Sequence, residues 1–196
     1  ATSGNARRYD PKLLALVEDD KRLIKAAEAL KSRDYIYGFH DKSLYIVVLS
    51  WGLRWDAATK LAEQSGGYLV AINDKQESDF IKSLIAEDAR LWRLGTKKQD
   101  IYGPAIGLYQ TENSREPDGG WVWASNEAFQ FDNWSRSEPN NSRGIEGKAV
   151  YSYYTDNARF NSVDEVLNYC CKNGNANLQW ADVPFFMNSF IIEIDG

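Results

Sequence analysis

The segment from residue 120 to residue 141 constrains the fold more than any other part of the chain, because large aromatic side chains recur in it at alternate positions. Trp121 and Trp123 form one such pair, and Phe129 and Phe131 form another. Side chains two residues apart in an extended strand point to the same face of a sheet, and aromatic side chains pack well on a half-buried sheet surface. The segment therefore predicts strands whose aromatic face lies against a core.

The same segment ends with Glu138-Pro139-Asn140, in which a carboxylate and an amide flank a proline. Proline restricts the local backbone, and the peptide bond before it can adopt the cis form, which would aim both side chains the same way. Two oxygen-bearing side chains that face one point can hold a hard cation or the hydroxyls of a sugar. This tripeptide is therefore the first candidate for a binding site.

Six short motifs, taken in chain order, resemble those of the C-type lectin-like family. They are Ala105-Ile106-Gly107-Leu108, Trp121-Val122-Trp123, Asn133-Trp134, Glu138-Pro139-Asn140, Trp180-Ala181-Asp182-Val183-Pro184 and Phe190-Ile191-Ile192-Glu193. The corresponding family patterns are W-I-G-L, W-x-W, N-W, E-P-N, W-N-D-V-P and F-I-C-E. Ala105 and Ala181 stand where the family has Trp and Asn. The resemblance covers roughly Tyr35 to Asp195.

The resemblance implies a fold and an organisation of the chain. The expected fold class is α+β, a C-type lectin-like fold with two helices, antiparallel sheets and a long loop region. Residues 35–196 are expected to form this domain, and residues 1–34 an N-terminal helical extension that packs onto it. Two stretches, near 87–104 and 155–178, are longer than the family's core needs. The spacing of apolar residues predicts a short helix in the second of them.

The local sequence patterns agree with that order of elements. The predicted elements are a helix over residues 10–30, a hairpin of strands 35–39 and 44–49, a helix over 55–64, a strand over 68–72 and a helix opened by Asp74. Two glycines follow the second helix and predict its end. A glutamate lies three residues after Asp74, which is the spacing of a capping box.

The chain has only two cysteines, Cys170 and Cys171, and they are adjacent. The resemblance implies four positions at which secreted family members carry disulfide cysteines. These positions are occupied by Ala62, Lys148, Phe185 and Ile192. The fold is therefore expected to be held by packing alone, which favours a bacterial or phage-type branch of the family. Adjacent cysteines form only a strained local bridge, so we expect two free thiols.

The charge distribution and the missing motifs exclude several classes of function. The net charge is −5 and the basic residues are scattered, which argues against a nucleic-acid partner. No apolar run reaches the length of a membrane-spanning segment. No phosphate-binding or dinucleotide-binding fingerprint occurs, and the single histidine, His40, has no nucleophile beside it in the sequence. We therefore expect a binding protein and not an enzyme.

The resemblance implies a calcium site that also holds the sugar. Calcium takes six to eight oxygen ligands, and the family draws them from residues that correspond to Glu138, Asn140, Glu146 and Asp182. Ala181 has no side-chain oxygen, so one expected ligand is lost. Two interpretations stay open: a weakened or altered calcium site, and a polar loop shaped by its proline.

Two functional hypotheses follow from these alternatives. In the first, the protein is an extracellular or cell-surface lectin that binds mannose-type sugars through Ca²⁺ at the Glu-Pro-Asn loop. In the second, it is a calcium-independent protein-binding or adhesion module that uses the loop region and the insertion at 155–178. Tyrosine-rich loops on a rigid scaffold suit protein contacts. The candidate contact residues are Tyr151, Tyr153, Tyr154 and Phe160.

Overall fold

A nine-stranded sheet organises the part of the chain that the computed structural model describes, which comprises residues 20–171, 177–184 and 186–196. Its elements are α1 (Lys21–Ala29), β1 (Tyr35–His40), β2 (Ser43–Arg54), α2 (Trp55–Ser65), β3 (Tyr68–Leu69), α3 (Lys75–Ile85), β4 (Arg93–Leu94), β5 (Asp100–Gln110), β6 (Trp121–Trp123), β7 (Lys148–Tyr154), α4 (Val163–Cys170), β8 (Gln179–Val183) and β9 (Phe186–Ile194). Single 3-10 turns occur at Ala89–Leu91 and Ser142–Gly144. The expected α+β class is confirmed, as is the order of strand, helix, strand, helix and loop-rich half.

The main path of the sheet runs β1-β2-β9-β5-β7-β8, with β3 paired to β9 and with β4 and β6 paired to β5. The strand pairs are antiparallel except for β5 and β9, which run parallel where Ala105 lies opposite Phe190. The last strand therefore lies in the middle of the sheet. Its interior position explains why Ile191 and Ile192, which point to opposite faces, are both fully buried.

The predicted hairpin and the two helices that follow it are confirmed with small shifts in their ends. β1 pairs with β2, and α2 ends at Gly66, whose φ of 97° is a left-handed conformation that favours glycine. The side chain of Asp74 accepts hydrogen bonds from the backbone of Gln76 and Glu77 and so caps α3. The predicted strand 68–72 is shorter: only its first two residues pair as a strand.

The reason for this shortening lies in how Val70 is bonded. Its N–H donates to the carbonyl of Ile191 on β9 (2.9 Å), and its own carbonyl accepts from Gly107 on β5 (2.8 Å). The chain therefore leaves the ladder with β9 and bridges two strands of the sheet. It stays buried while doing so, since Val70 and Ile72 are both fully buried.

The described part of the predicted N-terminal helix packs onto the sheet. The first half of that prediction, up to residue 19, lies outside the described residues. α1 begins after Asp20, whose carboxylate accepts from the backbone of Arg22, and its Leu23 and Ala26 are buried, as is Leu30 just after it. The division of the chain into an extension and a domain stays a prediction. None of the described helices combines the length and the apolar character that crossing a membrane requires.

Trp180 lies at the centre of the aromatic core that the sequence predicted. It is fully buried on β8, and four rings stand edge-on to it. Their centroids lie between 5.8 and 6.4 Å from its own, and they belong to Trp123, Phe131, Trp134 and Tyr151. Edge-to-face packing at this spacing is the favoured arrangement of aromatic pairs. One aromatic of each alternating pair, Trp123 and Phe131, therefore contacts Trp180 on a later strand. The prediction of strands is confirmed for Trp121–Trp123 and is wrong for Phe129 and Phe131, which lie in the loop after β6.

The two long insertions contact each other and form one unit beside β5. Thr155 donates its N–H to the carbonyl of Gln99 (3.1 Å), and Phe160 donates to that of Lys98 (2.8 Å). The predicted short helix is confirmed as α4, and Val166 is fully buried in the core that includes Trp92. The part of the second insertion at residues 172–176 lies outside the described residues.

Cys170 and Cys171 form a disulfide with an S–S distance of 2.08 Å, so the prediction of two free thiols is wrong. Cys170 ends α4, and Cys171 has a non-helical backbone (φ −129°, ψ 16°) that turns its side chain back toward its neighbour. The bridge closes only a local ring. The expectation that packing holds distant parts of the chain together is therefore unaffected.

We expect thiol titration of the unfolded, unreduced protein to find no free thiol, because the chain has only these two cysteines. Prior treatment with a reductant should release two thiols, which serves as the internal control. Two thiols without reductant would contradict the bridge.

Candidate functional site

The Glu138-Pro139-Asn140 tripeptide lies in the loop between the aromatic segment and β7, and its Glu138–Pro139 bond is cis. The side chains of Glu138 and Asn140 lie on the same side of the loop, where Asn140 Nδ2 donates to Glu138 Oε1 (2.7 Å). The sequence-based prediction that the two side chains face one point therefore agrees with the structure.

Asp182 fastens this loop to the sheet. It lies on β8 and is only 3% exposed. Its two carboxylate oxygens accept hydrogen bonds from the backbone N–H groups of Asn140 (2.9 Å) and Asn141 (2.7 Å). Hydrogen bonds to an ionised acceptor are among the strong ones in proteins. Both oxygens of Asp182 are thus committed to holding the loop.

Glu146 acts in a similar way at the far end of the loop. Its Oε2 accepts from the backbone of Ser142 (2.7 Å), and its own N–H donates to Asn141 Oδ1 (3.1 Å). Burial raises the pKa of this carboxyl. Glu146 and Asp182 therefore close the loop from opposite sides.

Glu138 is the least satisfied of the predicted ligands. Its Oε2 is buried, and no side chain or backbone group in the described part of the chain donates to it. Burial, and next the neighbouring carboxyl of Asp182, raise the pKa of Glu138 to about 8. Two carboxyl groups this close repel each other when both are ionised, so Glu138 keeps its proton to a higher pH than an isolated glutamate does.

In this structure the predicted calcium ligands are bonded to one another and to the loop backbone. No set of three or more His, Cys, Asp or Glu side chains within the described ranges is arranged to hold a metal ion. Asp182 and Glu146 give oxygens to backbone N–H groups of the loop, and the amide of Asn140 is turned toward Glu138. Ala181 offers no oxygen beside them. The structure brings the four predicted residues to one loop without assembling a calcium cage.

An open groove of about 570 Å³ lies beside this loop. Its walls come from the first insertion, the loop itself and the end of β7. It is lined by Thr96, Lys97, Asp100, Tyr102, Ser135, Arg136, Ser137, Glu138, Ser142, Arg143, Ser152, Tyr153, Tyr154 and Ala181. Its volume lies within the range of about 300–1,000 Å³ that is usual for small-ligand sites.

The predicted aromatic contact residues divide into two groups. Tyr151 is fully buried and Phe160 is 5% exposed, so neither belongs to an available contact surface. Tyr153 is half-buried and Tyr154 is 52% exposed. The reason is that β8 pairs with β7 only as far as Ser152, so the last two tyrosines of β7 extend past the edge of β8. These two remain available and line the groove.

Sequence reasoning missed three basic residues of the groove, Lys97, Arg136 and Arg143. Arg136 and Arg143 lie within five residues of the Glu-Pro-Asn tripeptide, and that proximity is a signal that was available. Lys97 lies about forty residues earlier, in the first insertion. The pairing of β5 with β7, together with the contact between the two insertions, brings it to the groove.

Comparison with known proteins settles the family. Residues 52–173 match the model of the family described as Lectin C-type domain. The chain belongs to this family. These residues make up well over half of the chain, and the match covers both helices after β2, the groove lining except Ala181, and most of the insertions.

Individual relatives are more distant. Rat lithostathine is 31% identical over 126 residues, which are 61% of this chain and 66% of the relative. Across three curated relatives the chain spans about half to two-thirds of their length, namely 66%, 50% and 51%. These relatives come from rat, mussel and mouse. The bacterial or phage branch therefore receives no support and stays a prediction.

Two solved structures share the fold. One is the C-type carbohydrate-recognition domain of cow CD23, solved in the presence of GlcNAc2Man3 oligosaccharide, with a TM-score of 0.53 and 17% identity over 82% of this chain and 93% of that one. The other is a calcium-independent type II antifreeze protein, with a TM-score of 0.51 and 16% identity over 81% and 91%. At these identities the likeness shows the fold alone, and it confirms the expected C-type lectin fold.

Proposed function

We propose that this protein is a non-catalytic glycan-recognition module, extracellular or at a cell surface, and that the glycan binds in the groove without bound calcium. The observation that carries the proposal is the commitment of both Asp182 oxygens to the backbone of the Glu138–Asn141 loop. In this arrangement the loop is held in shape by the protein's own carboxylates. A binding surface that is already formed loses little entropy when a ligand arrives.

The membership of the Lectin C-type domain family supports the choice of a glycan as the ligand. One relative of this chain is named Lectin BRA-3, from Megabalanus rosa. The sequence-based preference for mannose-type sugars depended on a bound calcium ion, because calcium coordination selects adjacent sugar hydroxyls. A site that works without calcium gives no reason to keep that preference.

The test is calorimetric titration with a panel of oligosaccharides in EDTA and again in millimolar calcium. We expect the same affinity in both buffers, because Asp182 and Glu146 are occupied by backbone N–H groups and not by an ion. Millimolar calcium alone should give no heat. Glycan binding that EDTA abolishes would contradict the proposal and support the calcium site predicted from the resemblance.

A second candidate is a calcium-independent protein-binding or adhesion module. The observation that favours it is a pair of exposed tyrosines, Tyr154 (52%) and Tyr169 (51%), with Tyr153 packed against Tyr169 at a ring distance of 6.4 Å. If no glycan binds in either buffer, the glycan proposal fails and this surface becomes the leading candidate. The double variant Tyr154→Ala/Tyr169→Ala should then bind a protein partner more weakly than the native protein does.

A further inference from the structure

We infer that the groove selects acidic glycans, which carry carboxylate or sulfate groups, through Lys97, Arg136 and Arg143. The inference rests on the proposed function, since it names the class of glycan that the groove takes. It comes from residues that the family's sugar motifs do not contain.

Within the described residues, none of the three basic side chains lies at ion-pair distance from an acidic group. All three are exposed and line the groove. In the described part of the chain none of them forms an ion pair or a side-chain hydrogen bond, although Arg143 lies near enough to Glu146 to act on its charge. Basic side chains that line one groove raise the local concentration of anions there.

The two acidic residues of the groove differ from the basic ones, because each already accepts a hydrogen bond from a neighbour. Asp100 Oδ2 accepts from the hydroxyl of Tyr102 (2.9 Å). Glu138 Oε1 accepts from Asn140 Nδ2 (2.7 Å). The groove lining thus holds three cations and two acids, and each acid has one oxygen bonded to a neighbour, in a chain whose net charge is −5. This local excess of unmatched positive charge points to an anionic ligand.

The backbone of the loop supports a binding role for the same segment. Ser137, Asn141 and Arg143 are non-glycine residues with positive φ values of 71°, 46° and 63°. Such conformations are unfavourable for these residue types and tend to occur at ligand-binding loops, where surrounding contacts hold them. Here the bonds from Asp182 and Glu146 hold the loop. Two of these three residues line the groove, and one of them is a cation.

The lining favours a sugar over an acidic peptide. Four serines, at positions 135, 137, 142 and 152, face the groove together with Tyr153 and Tyr154. A hydroxyl both donates and accepts hydrogen bonds, which matches the many hydroxyls of a sugar ring. The exposed ring of Tyr154 adds a flat apolar surface at the rim. An acidic glycan would use both the cations and this hydroxyl-rich lining.

The experiment compares four hexamers of defined size, all in EDTA: a galacturonic acid oligomer, a sulfated glucose oligomer, a neutral mannose oligomer and a glutamate peptide. Affinities are measured for the native protein and for Lys97→Gln/Arg136→Gln/Arg143→Gln. The matched control is Lys31→Gln/Lys42→Gln/Lys60→Gln, which removes the same charge from exposed residues outside the groove. Circular dichroism of both variants checks that they are folded.

We expect the native protein to bind at least one acidic sugar about tenfold or more tightly than the neutral one, and the groove variant to lose that preference while the control keeps it. Equal binding of neutral and acidic sugars, unchanged in the groove variant, would overturn this inference and leave the proposed glycan function standing. Equal or tighter binding of the glutamate peptide would overturn the assignment to a glycan. No binding to any of the four would overturn the inference together with the proposed function.

Discussion

Replacing Trp180 by alanine should lower the free energy of unfolding by about 3–5 kcal/mol, the usual range for removing a large buried aromatic side chain. Trp180 is fully buried, and the rings of Trp123, Phe131, Trp134 and Tyr151 all pack on its edges or faces. No single neighbour can fill the space left behind, because the four rings approach it from β6, from β7 and from the loop between them. Urea denaturation of the purified variant measures the change directly.

The matched control is Trp51→Ala, since Trp51 is 70% exposed on β2. This variant should change the free energy of unfolding by less than about 0.5 kcal/mol, as is usual for exposed positions. Similar losses for the two variants would show that the aromatic core is not centred on Trp180. A small loss at Trp180 alone would contradict the packing described here.

Stability should fall as pH rises from about 4.5 to 8, and Glu193→Gln should remove the part of that dependence that comes from Glu193, leaving the part that comes from Glu138. Glu193 is 5% exposed on β9, and it lies beside the equally buried Glu77. The Tyr45 hydroxyl lies 2.7 Å from Glu77 Oε1 and 3.3 Å from Glu193 Oε1. The backbone of Asn73 donates to Glu77 at 2.8 Å, whereas that of Ala71 reaches Glu193 only at 3.4 Å. The ionised form of Glu77 therefore accepts shorter hydrogen bonds than the ionised form of Glu193 would.

The sign of this effect follows from the raised pKa of Glu193. Burial, and next the charge of Glu77, raise it to about 8, whereas an unfolded glutamate titrates near ~4.3. The folded state therefore holds the proton more tightly than the unfolded state. The resulting stabilisation is complete below about pH 4, declines as the pH rises toward 8 and is lost above about pH 8.

Thermal or urea denaturation of Glu193→Gln at several pH values tests this prediction. The amide resembles the protonated acid, so the variant should match the native protein near pH 5 and exceed its stability at pH 8–9 by about 2–4 kcal/mol. Glu63→Gln, an exposed position on α2, is the control and should leave the pH profile unchanged. A native profile that rises between these pH values would contradict the buried protonated carboxyl.

The sequence predicted the main helices and several strands, because these elements depend on short-range patterns. Alternating aromatics, a glycine after α2 and Asp74 before α3 each act through neighbours within a few residues. The order of the six lectin motifs predicted the fold class. The position of β9 between β2 and β5 does not follow from any local pattern and was not predicted.

The candidate site was harder to predict because its state depends on contacts between distant residues. The sequence brought Glu138 and Asp182 together through the resemblance, but the use of Asp182 by the backbone of Asn140 is visible only in the fold. Tyr151 and Phe160 looked like contact residues because tyrosine-rich loops on a rigid scaffold suit protein contacts. Pairing with β8 on one side, and packing of the insertions on the other, places both in the core.

The most direct test of the central claim is a pair of crystal structures of the protein with an acidic oligosaccharide, one grown in EDTA and one in millimolar calcium. We expect the sugar in the groove in both, against Arg136 and Arg143, with the Asp182 carboxylate still bonded to the backbone of Asn140 and Asn141. A calcium ion held between Glu138 and Asp182, with the sugar hydroxyls bound to that ion, would contradict it.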